Sequence, residues 1–240
     1  MAAFETKSVT ELLAGNAYPG RGVLVGTSPD GKKAVAAYFI MGRSVNSRNR
    51  IFVKKDGDVF TEPYDPEKVV DPSLIIYAAV RKTDGHLIVT NGNQTDTVKE
   101  GYAAGKSFEE SLQSREFEPD KPNYTPRISG VLNFPAPGCY DYELSILKSV
   151  DAEGSACARY HFAYPCVPGL GHLIHTYVGD GSPLPSFEGE PERVKTLDCI
   201  DCFTEELWNA LDEANKISLY VSYTDIETGK TEDRLVNKYN

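Results

Sequence analysis

The amino-acid sequence predicts a strand-rich α+β fold in which helices lie outside antiparallel sheets. Asp-Gly pairs at 30–31, 56–57 and 84–85 each separate two apolar runs, a pattern that is typical of β-hairpins. Apolar residues recur at helical spacing in only two segments, 95–116 and 204–215. Because strands seldom alternate with helices along this chain, a doubly wound parallel sheet is disfavoured.

Short strands joined by tight turns are expected in the first half of the chain. Each of the three Asp-Gly turns connects an apolar run to the next one, so neighbouring runs should pair antiparallel. The expected strands are residues 22–27, 33–41, 50–55, 58–63, 74–82 and 86–91.

Two helical regions interrupt the strands. Segment 95–116 contains helix formers and should break near Gly105, after which Ser107 and Glu110 form a capping box that starts a second helix. Segment 204–215 should be an amphipathic helix. Its apolar face carries Leu207, Trp208 and Leu211.

Strands resume in the second half of the chain. Segment 180–193 is rich in Gly, Pro and Ser and is expected to be a loop. No internal repeat or linker divides the sequence, so residues 1–240 are predicted to form a single domain. The expected strands are residues 140–150, 156–164, 171–179, 217–225 and 232–239.

Composition limits the functional classes. The chain has 240 residues, 40% of them hydrophobic, and a formal net charge of −10. That acidity argues against binding to nucleic acid, which needs a basic face. No apolar run approaches the roughly 20 residues of a membrane helix, and the start does not resemble a signal peptide. We therefore expect a cytoplasmic protein with no membrane partner, and homo-oligomerisation is left open.

The five cysteines do not form a recognisable metal motif. Cys199 and Cys202 make one CxxC pair, but a structural zinc site would need two more ligands, and Cys166 and His172 could serve only if the fold brought them near. We expect reduced thiols packed as small hydrophobic groups, and no metal. His161, His172 and His175 lie in or near strands and are predicted to be packed or surface side chains, not catalysts.

Four polar segments stand out beside the apolar strands. They are "YPGRG" (18–22), "MGRSVNSRNR" (41–50), "TNGNQTDT" (90–97) and "KPNYTPRISG" (121–130). Any one of them could be a solvated surface or a turn with a helix cap. All four, however, place Arg, Asn, Ser or Thr beside Gly or Pro at a strand edge, where binding groups gather on a rigid scaffold. In so acidic a chain, "RSVNSRNR" is best explained as a local anion site.

In this order and spacing, the four segments resemble those of the archaeal-type inosine monophosphate (IMP) cyclohydrolases. The resemblance covers roughly residues 18–130. It implies the fold of the N-terminal-nucleophile (Ntn) hydrolases, a four-layer αββα sandwich of antiparallel sheets flanked by helices. Ala2, which removal of Met1 would expose, offers no nucleophile, so the resemblance implies a reused scaffold whose chemistry has no covalent intermediate.

The resemblance also implies a reaction. In that family 5-formamidoimidazole-4-carboxamide ribotide closes to IMP in de novo purine biosynthesis, and water leaves. The reaction needs a phosphate clamp, a proton acceptor and donors for an oxyanion, but no cofactor. The alternatives are a non-catalytic purine-nucleotide-binding protein on the same fold and, with less support, an Ntn-type amide hydrolase.

The candidate site residues lie in or near the matched segments. The catalytic candidates are Glu118 for proton transfer, Tyr77 as a second donor, and Arg50. Each has a structural alternative, since Glu118 could be a solvated loop acid and Tyr77 a core tyrosine. Asp96 is equally well explained as a first-turn helix acid. The substrate-binding candidates are Arg21, Arg43, Ser44, Arg48, Asn49, Asn91, Gly92, Gln94, Thr95, Asp96, Thr125 and Arg127.

Overall fold

Two antiparallel sheets form the centre of the computed structural model, which describes residues 4–69, 72 and 76–239. One sheet has six strands and the other has seven. The strands are β1 (Arg21–Thr27), β2 (Lys33–Met41), β3 (Ile51–Lys55), β4 (Asp58–Glu62), β5 (Ala78–Thr83), β6 (His86–Thr90), β7 (Arg127–Ala136), β8 (Cys139–Ser149), β9 (Cys157–Pro165), β10 (Leu170–His175), β11 (Glu192–Lys195), β12 (Lys216–Asp225) and β13 (Thr231–Asn237).

The strand orders show that the predicted hairpins are correct. The six-stranded sheet runs β11-β10-β1-β2-β12-β13 and the seven-stranded sheet runs β3-β4-β5-β6-β7-β8-β9. The hairpins β1–β2, β3–β4 and β5–β6 each turn at one of the Asp-Gly pairs. At the second turn Asp56 and Gly57 both have positive φ, 52° and 89°, as a type I′ turn requires.

The described residues form five α-helices, four of which cover the outer faces of the sheets. The helices are α1 (Val9–Leu13), α2 (Val45–Arg48), α3 (Gln94–Ala103), α4 (Phe108–Leu112) and α5 (Ile200–Ala210), and α2 has no buried residue. Apolar side chains of α1 and α5 pack on the six-stranded sheet, while those of α3 and α4 pack on the seven-stranded sheet. A third and larger apolar cluster fills the space between the sheets. The layers are therefore helix, sheet, sheet and helix, which confirms the predicted α+β sandwich; the closer likeness to Ntn hydrolases stays a prediction.

Several predicted boundaries differ from the structure. The last helix begins four residues earlier than expected, because Cys199 acts as its N-cap, and it ends at Ala210. The expected strand 171–179 ends at His175. Short β11 begins at the end of the expected loop 180–193, and α1 was not predicted at all. Residues 74 and 75 of the expected strand 74–82 lie outside the described residues, and its described part forms β5 from Ala78.

The cysteine prediction was wrong in one respect. Cys199 and Cys202 are joined in a disulfide and are not two reduced thiols. Cys139, Cys157 and Cys166 are free, and none of them is fully buried. In the part of the chain that the structure describes, no group of three or more His, Cys, Asp or Glu side chains is arranged to hold a metal ion. Within the same residues, no helix is both long and apolar enough to cross a membrane.

Candidate active site

The two sheets bring the starts of β1 and β7 to the same end of the sandwich. A Cβ atom built on Gly130 of β7 would lie 2.7 Å from Cγ1 of Val23 in β1, so the two strands touch across the core there. Arg21 lies two residues before Val23, and Arg127 lies three residues before Gly130. Two arginines from segments far apart in sequence therefore converge at one edge of the inter-sheet core.

Glu118 lies between these two arginines. Its side chain is 2% exposed, and Oε2 is 3.7 Å from Nη2 of Arg21. Its backbone N–H donates to the carbonyl of Thr125, which fixes it against the 121–126 loop. Burial raises the pKa of the Glu118 carboxyl, while the positive charges of Arg21 and Arg127 oppose that shift. The sequence alternative, a solvated loop acid, is wrong because this carboxyl is buried.

Arg50 is the largest side chain among those that are almost completely buried. The capped turn α2 presents the Ser47 carbonyl, which accepts from Nε of Arg50 at 2.8 Å, and Nη2 donates to the Met41 carbonyl at 3.1 Å. Nη1 of Arg50 and Nε of Arg21 are buried, and in the part of the chain that the structure describes neither has a hydrogen-bond partner. Burial, followed by the charge of Arg21, lowers the pKa of Arg50. The two guanidiniums therefore lie close enough to repel each other.

We define the arginine–glutamate cluster as Arg21, Arg50, Arg127 and Glu118. Its positive and negative charges are unequal in number. Arg50 and Arg127 are buried and Arg21 is 12% exposed, so three positive groups face one buried carboxyl. Buried charge is costly unless it is paired, and two of the guanidiniums keep unused donors. The cluster is therefore suited to receive an anion.

Residues of the third polar segment, 90–97, contact the Arg127 guanidinium. Nη1 of Arg127 donates to Oε1 of Gln94 at 2.9 Å. A Cβ atom at Gly92 would lie 2.5 Å from that same Nη1 and 3.6 Å from Oε1 of Glu118, so a larger residue here would displace the Arg127 guanidinium. Gly92 and Gln94 thus lie directly at the cluster.

Asn91 and Thr95 are occupied by the scaffold. Oδ1 of Asn91 accepts from the Ile128 N–H and from Nε2 of Gln94, both at 2.9 Å, and Nδ2 donates to the Pro126 carbonyl. The Thr95 hydroxyl bonds to the Gly92 carbonyl and to the hydroxyl of Thr90. Both side chains are fully buried. Asn91 ties the turn after β6 to the start of β7, and Thr95 closes that turn on itself.

Tyrosine and threonine hydroxyls complete the surroundings. The hydroxyl of Tyr77 lies 2.7 Å from that of Tyr38, and Thr125 Oγ1 lies 2.5 Å from the hydroxyl of Tyr177. Burial raises the pKa of Tyr38 and of Tyr177, and Arg21 opposes the shift in both. Sequence reasoning missed Tyr38 and Tyr177, since no local signal separates them from the other twelve of the fourteen tyrosines.

Five other predicted binding residues make their contacts elsewhere. Exposed Arg43 pairs with Asp180, and exposed Ser44 caps α2. Nε of Arg48 donates to the Gly42 carbonyl. Asn49 makes two hydrogen bonds with the backbone of Asp65. Asp96 is 45% exposed and pairs with Arg81 in the first turn of α3. The predicted residues that these contacts tie to groups outside the cluster are Arg43, Ser44, Arg48, Asn49 and Asp96.

Comparison with known proteins shows the family of the chain. The family model described as "IMP cyclohydrolase-like protein" matches residues 18–230. The chain belongs to the IMP cyclohydrolase-like family. The family match extends 100 residues beyond the four polar segments, which end at residue 130, and so includes most of both sheets.

Three curated archaeal proteins show how similar the chain is to its relatives. The chain is 32% identical over 184 residues to "IMP cyclohydrolase" of Methanopyrus kandleri, an alignment that covers 71% of this chain and 89% of that protein. It is 37% identical over 123 residues to the protein of the same name from Haloarcula marismortui, covering 50% of this chain and 56% of the relative. For the Methanocaldococcus jannaschii protein the identity is 31%, and the coverage is 48% and 57%.

Proposed function

We propose that this protein is an IMP cyclohydrolase. The carboxamide nitrogen of 5-formamidoimidazole-4-carboxamide ribotide would attack the formyl carbon, a C–N bond would form, and the formyl oxygen would leave as water to give IMP. The observation that carries the proposal is the arginine–glutamate cluster, three guanidiniums and one buried carboxyl in an acidic protein. Family membership and the printed names of the relatives support it.

We assign the buried N–H groups of Arg50 and Arg21 that lack a partner among the described residues to binding a negatively charged oxygen of the substrate. Nη1 of Arg50 and Nε of Arg21 have no partner among the described residues, so each can donate to a 5′-phosphate or to the oxygen that gains negative charge during ring closure. Arg50 is oriented by two backbone carbonyls, which leaves this third donor fixed in direction. A preorganised donor in a desolvated site loses little free energy to reorganisation.

Glu118 is assigned the proton transfer. A carboxylate accepts the proton that the carboxamide nitrogen loses, and the resulting carboxylic acid can return it to the departing oxygen. The raised pKa of Glu118 brings the carboxyl closer to neutral pH, where both protonation states are accessible. Arg21, 3.7 Å away, keeps the ionised form available.

The tyrosine pair is assigned a supporting role. The hydroxyls of Tyr77 and Tyr38 share a hydrogen bond inside the core, and a hydroxyl in such a pair can donate to a third oxygen. Tyr77 therefore remains the second candidate for donation to the leaving oxygen. Gly92, Gln94, Thr125 and Arg127 are proposed to shape the same pocket for the purine nucleotide.

Turnover of the formamido ribotide tests the proposal. Purified protein should convert it to IMP, followed by the absorbance of the purine ring and by mass spectrometry of the product. A folded protein that binds IMP in calorimetry but gives no turnover above background would contradict the assignment, and would favour the non-catalytic nucleotide-binding alternative.

A further inference from the structure

The disulfide at the start of α5 is the clearest chemical feature that the proposed reaction does not use. Cys199 is the N-cap of this eleven-residue helix, and Cys202 lies in its first turn. Both residues are exposed. The helix lies on the outer face of the six-stranded sheet, and no member of the arginine–glutamate cluster belongs to it.

A stabilising role explains this disulfide poorly. A cross-link stabilises a fold mainly by restricting the unfolded chain, and its effect grows with the length of the loop that it closes. Here the two cysteines are only three positions apart. The helix is already held by buried side chains on its inner face, including Ile200, Phe203 and Leu207.

The surroundings favour one sulfur as a thiolate. Sγ of Cys199 accepts a hydrogen bond from the backbone N–H of Cys202 at 3.1 Å, and the helix N-terminus adds a partial positive charge. The two nearby carboxylates have other partners. The Asp201 carboxylate accepts two hydrogen bonds from Arg234, at 2.5 and 3.1 Å, and the Asp198 carboxylate accepts one from the backbone N–H of Asp30.

We propose that Cys199 and Cys202 form a redox-active pair that exchanges with external thiols and disulfides. In the oxidising direction the Cys199 thiolate attacks an external disulfide and releases one thiolate. Cys202 then loses its proton to solvent, attacks Sγ of Cys199 and releases the second thiolate. Two electrons pass from the cysteine pair to the external disulfide, and an external dithiol reverses both steps.

Equilibration with dithiothreitol tests the exchange in the unaltered protein. Native protein is incubated at graded ratios of reduced to oxidised dithiothreitol, quenched with acid, labelled with a maleimide and digested for mass spectrometry. We expect Cys199 and Cys202 to gain label together and reversibly, while the far-ultraviolet circular dichroism is unchanged. Labelling only after urea unfolding, or no disulfide in the oxidised protein, would overturn the proposal.

Two single-site variants test which cysteine attacks the external disulfide. In Cys202→Ser, Cys199 should form a mixed disulfide with oxidised glutathione at least about tenfold faster than Cys166, an exposed free cysteine in the same molecule. In Cys199→Ser, Cys202 should react at a rate close to that of Cys166. Equal rates for Cys199 and Cys166 would contradict the proposal. If either serine variant fails to fold, the dithiothreitol experiment still decides.

Discussion

Glu118 is the residue on which the proposed ring closure depends most. Its carboxyl is buried and its pKa is raised, mainly because burial disfavours the charged form, with Arg21 and Arg127 opposing. A carboxyl that must be ionised to accept a proton works only above its own pKa. The acid limb of the activity profile should therefore lie above the pH range of an ordinary glutamate.

Substitution of Glu118 tests this role. Glu118→Gln keeps the shape of the side chain and removes the titration, so kcat should fall by roughly a hundredfold or more while IMP still binds. The acid limb of kcat/KM should disappear with it. The same substitution at Glu116, an exposed acid two residues earlier, is the matched control and should leave the pH profile unchanged. A wild-type rate across pH in Glu118→Gln would exclude the role and make Tyr77 the next residue to test.

Arg50 and Arg43 belong to one polar segment but should behave differently. Loss of a buried guanidinium that pairs with an anion costs about 2–5 kcal/mol of binding free energy, so Arg50→Ala should bind IMP correspondingly less tightly. Arg43 is exposed and contacts Asp180, so Arg43→Ala should change binding by less than about 1 kcal/mol.

Calorimetry with IMP measures both affinities. Thermal unfolding serves as the control, because Arg50 also donates to two backbone carbonyls and its removal takes away both hydrogen bonds. Arg50→Lys, which retains a charge, gives a second variant if alanine unfolds the protein. Equal affinities in folded Arg50→Ala and Arg43→Ala variants would remove Arg50 from the site.

At the scale of secondary-structure elements, the sequence predicts correctly those turns and helix starts that depend on a few neighbouring residues. The Asp-Gly turns predicted three hairpins because their backbone geometry depends on two residues alone. The capping box of Ser107 and Glu110 predicted α4 for the same reason. Helix α2 was missed inside "RSVNSRNR" because its cap pairs Ser44 with Ser47, without the usual Glu or Gln.

The turn between β6 and α3 gives a prediction at this scale. Asn91 uses both ends of its amide in buried hydrogen bonds, so Asn91→Ala leaves several buried partners unsatisfied and should lower the free energy of unfolding by about 2–4 kcal/mol. Asp96→Ala in the first turn of α3 removes a half-exposed ion pair and should cost less than about 1 kcal/mol. Chemical denaturation measures both. A stable Asn91→Ala variant with a raised KM would return Asn91 to the role of a direct substrate contact.

At the scale of the whole molecule, the site arises from the packing of the two sheets. The four polar segments could be recognised in the sequence, but which side chains meet depends on how β1 crosses β7. That crossing unites Arg21, Glu118 and Arg127, while Asp96 faces outward toward Arg81. Tyr38 and Tyr177 could not be selected because burial, and not residue type, distinguishes them.

Acid stability is also a property of the whole molecule. His172 is buried between the sheets, where its Nδ1 bonds to the hydroxyl of Tyr142, and burial lowers its pKa to about 4. A histidine whose folded pKa is depressed contributes stability above its unfolded pKa and loses it as pH falls. Unfolding should therefore become easier by up to about 3 kcal/mol between pH 6.5 and pH 4.

Two histidine variants should change the pH dependence of stability in different pH ranges. His172→Asn should be less stable at neutral pH but should lose less stability between pH 6.5 and pH 4. Glu143 raises the pKa of His161, so the stability that this pair contributes is complete below about pH 6.5 and is lost as pH rises through the folded pKa. His161→Asn should therefore remove a loss of stability above about pH 6.5 and leave the slope between pH 6.5 and pH 4 unchanged. Urea unfolding at graded pH measures the slopes. An unchanged slope in His172→Asn would mean that other groups cause the acid sensitivity.

The most direct test of the central claim is an experimental structure of the protein with IMP bound. The nucleotide should lie at the arginine–glutamate cluster, with an IMP oxygen within hydrogen-bond distance of Nη1 of Arg50 and the purine ring beside Glu118. Binding at another place, such as the open groove of about 460 Å³ lined by Tyr124, Lys148 and Tyr160, would contradict it.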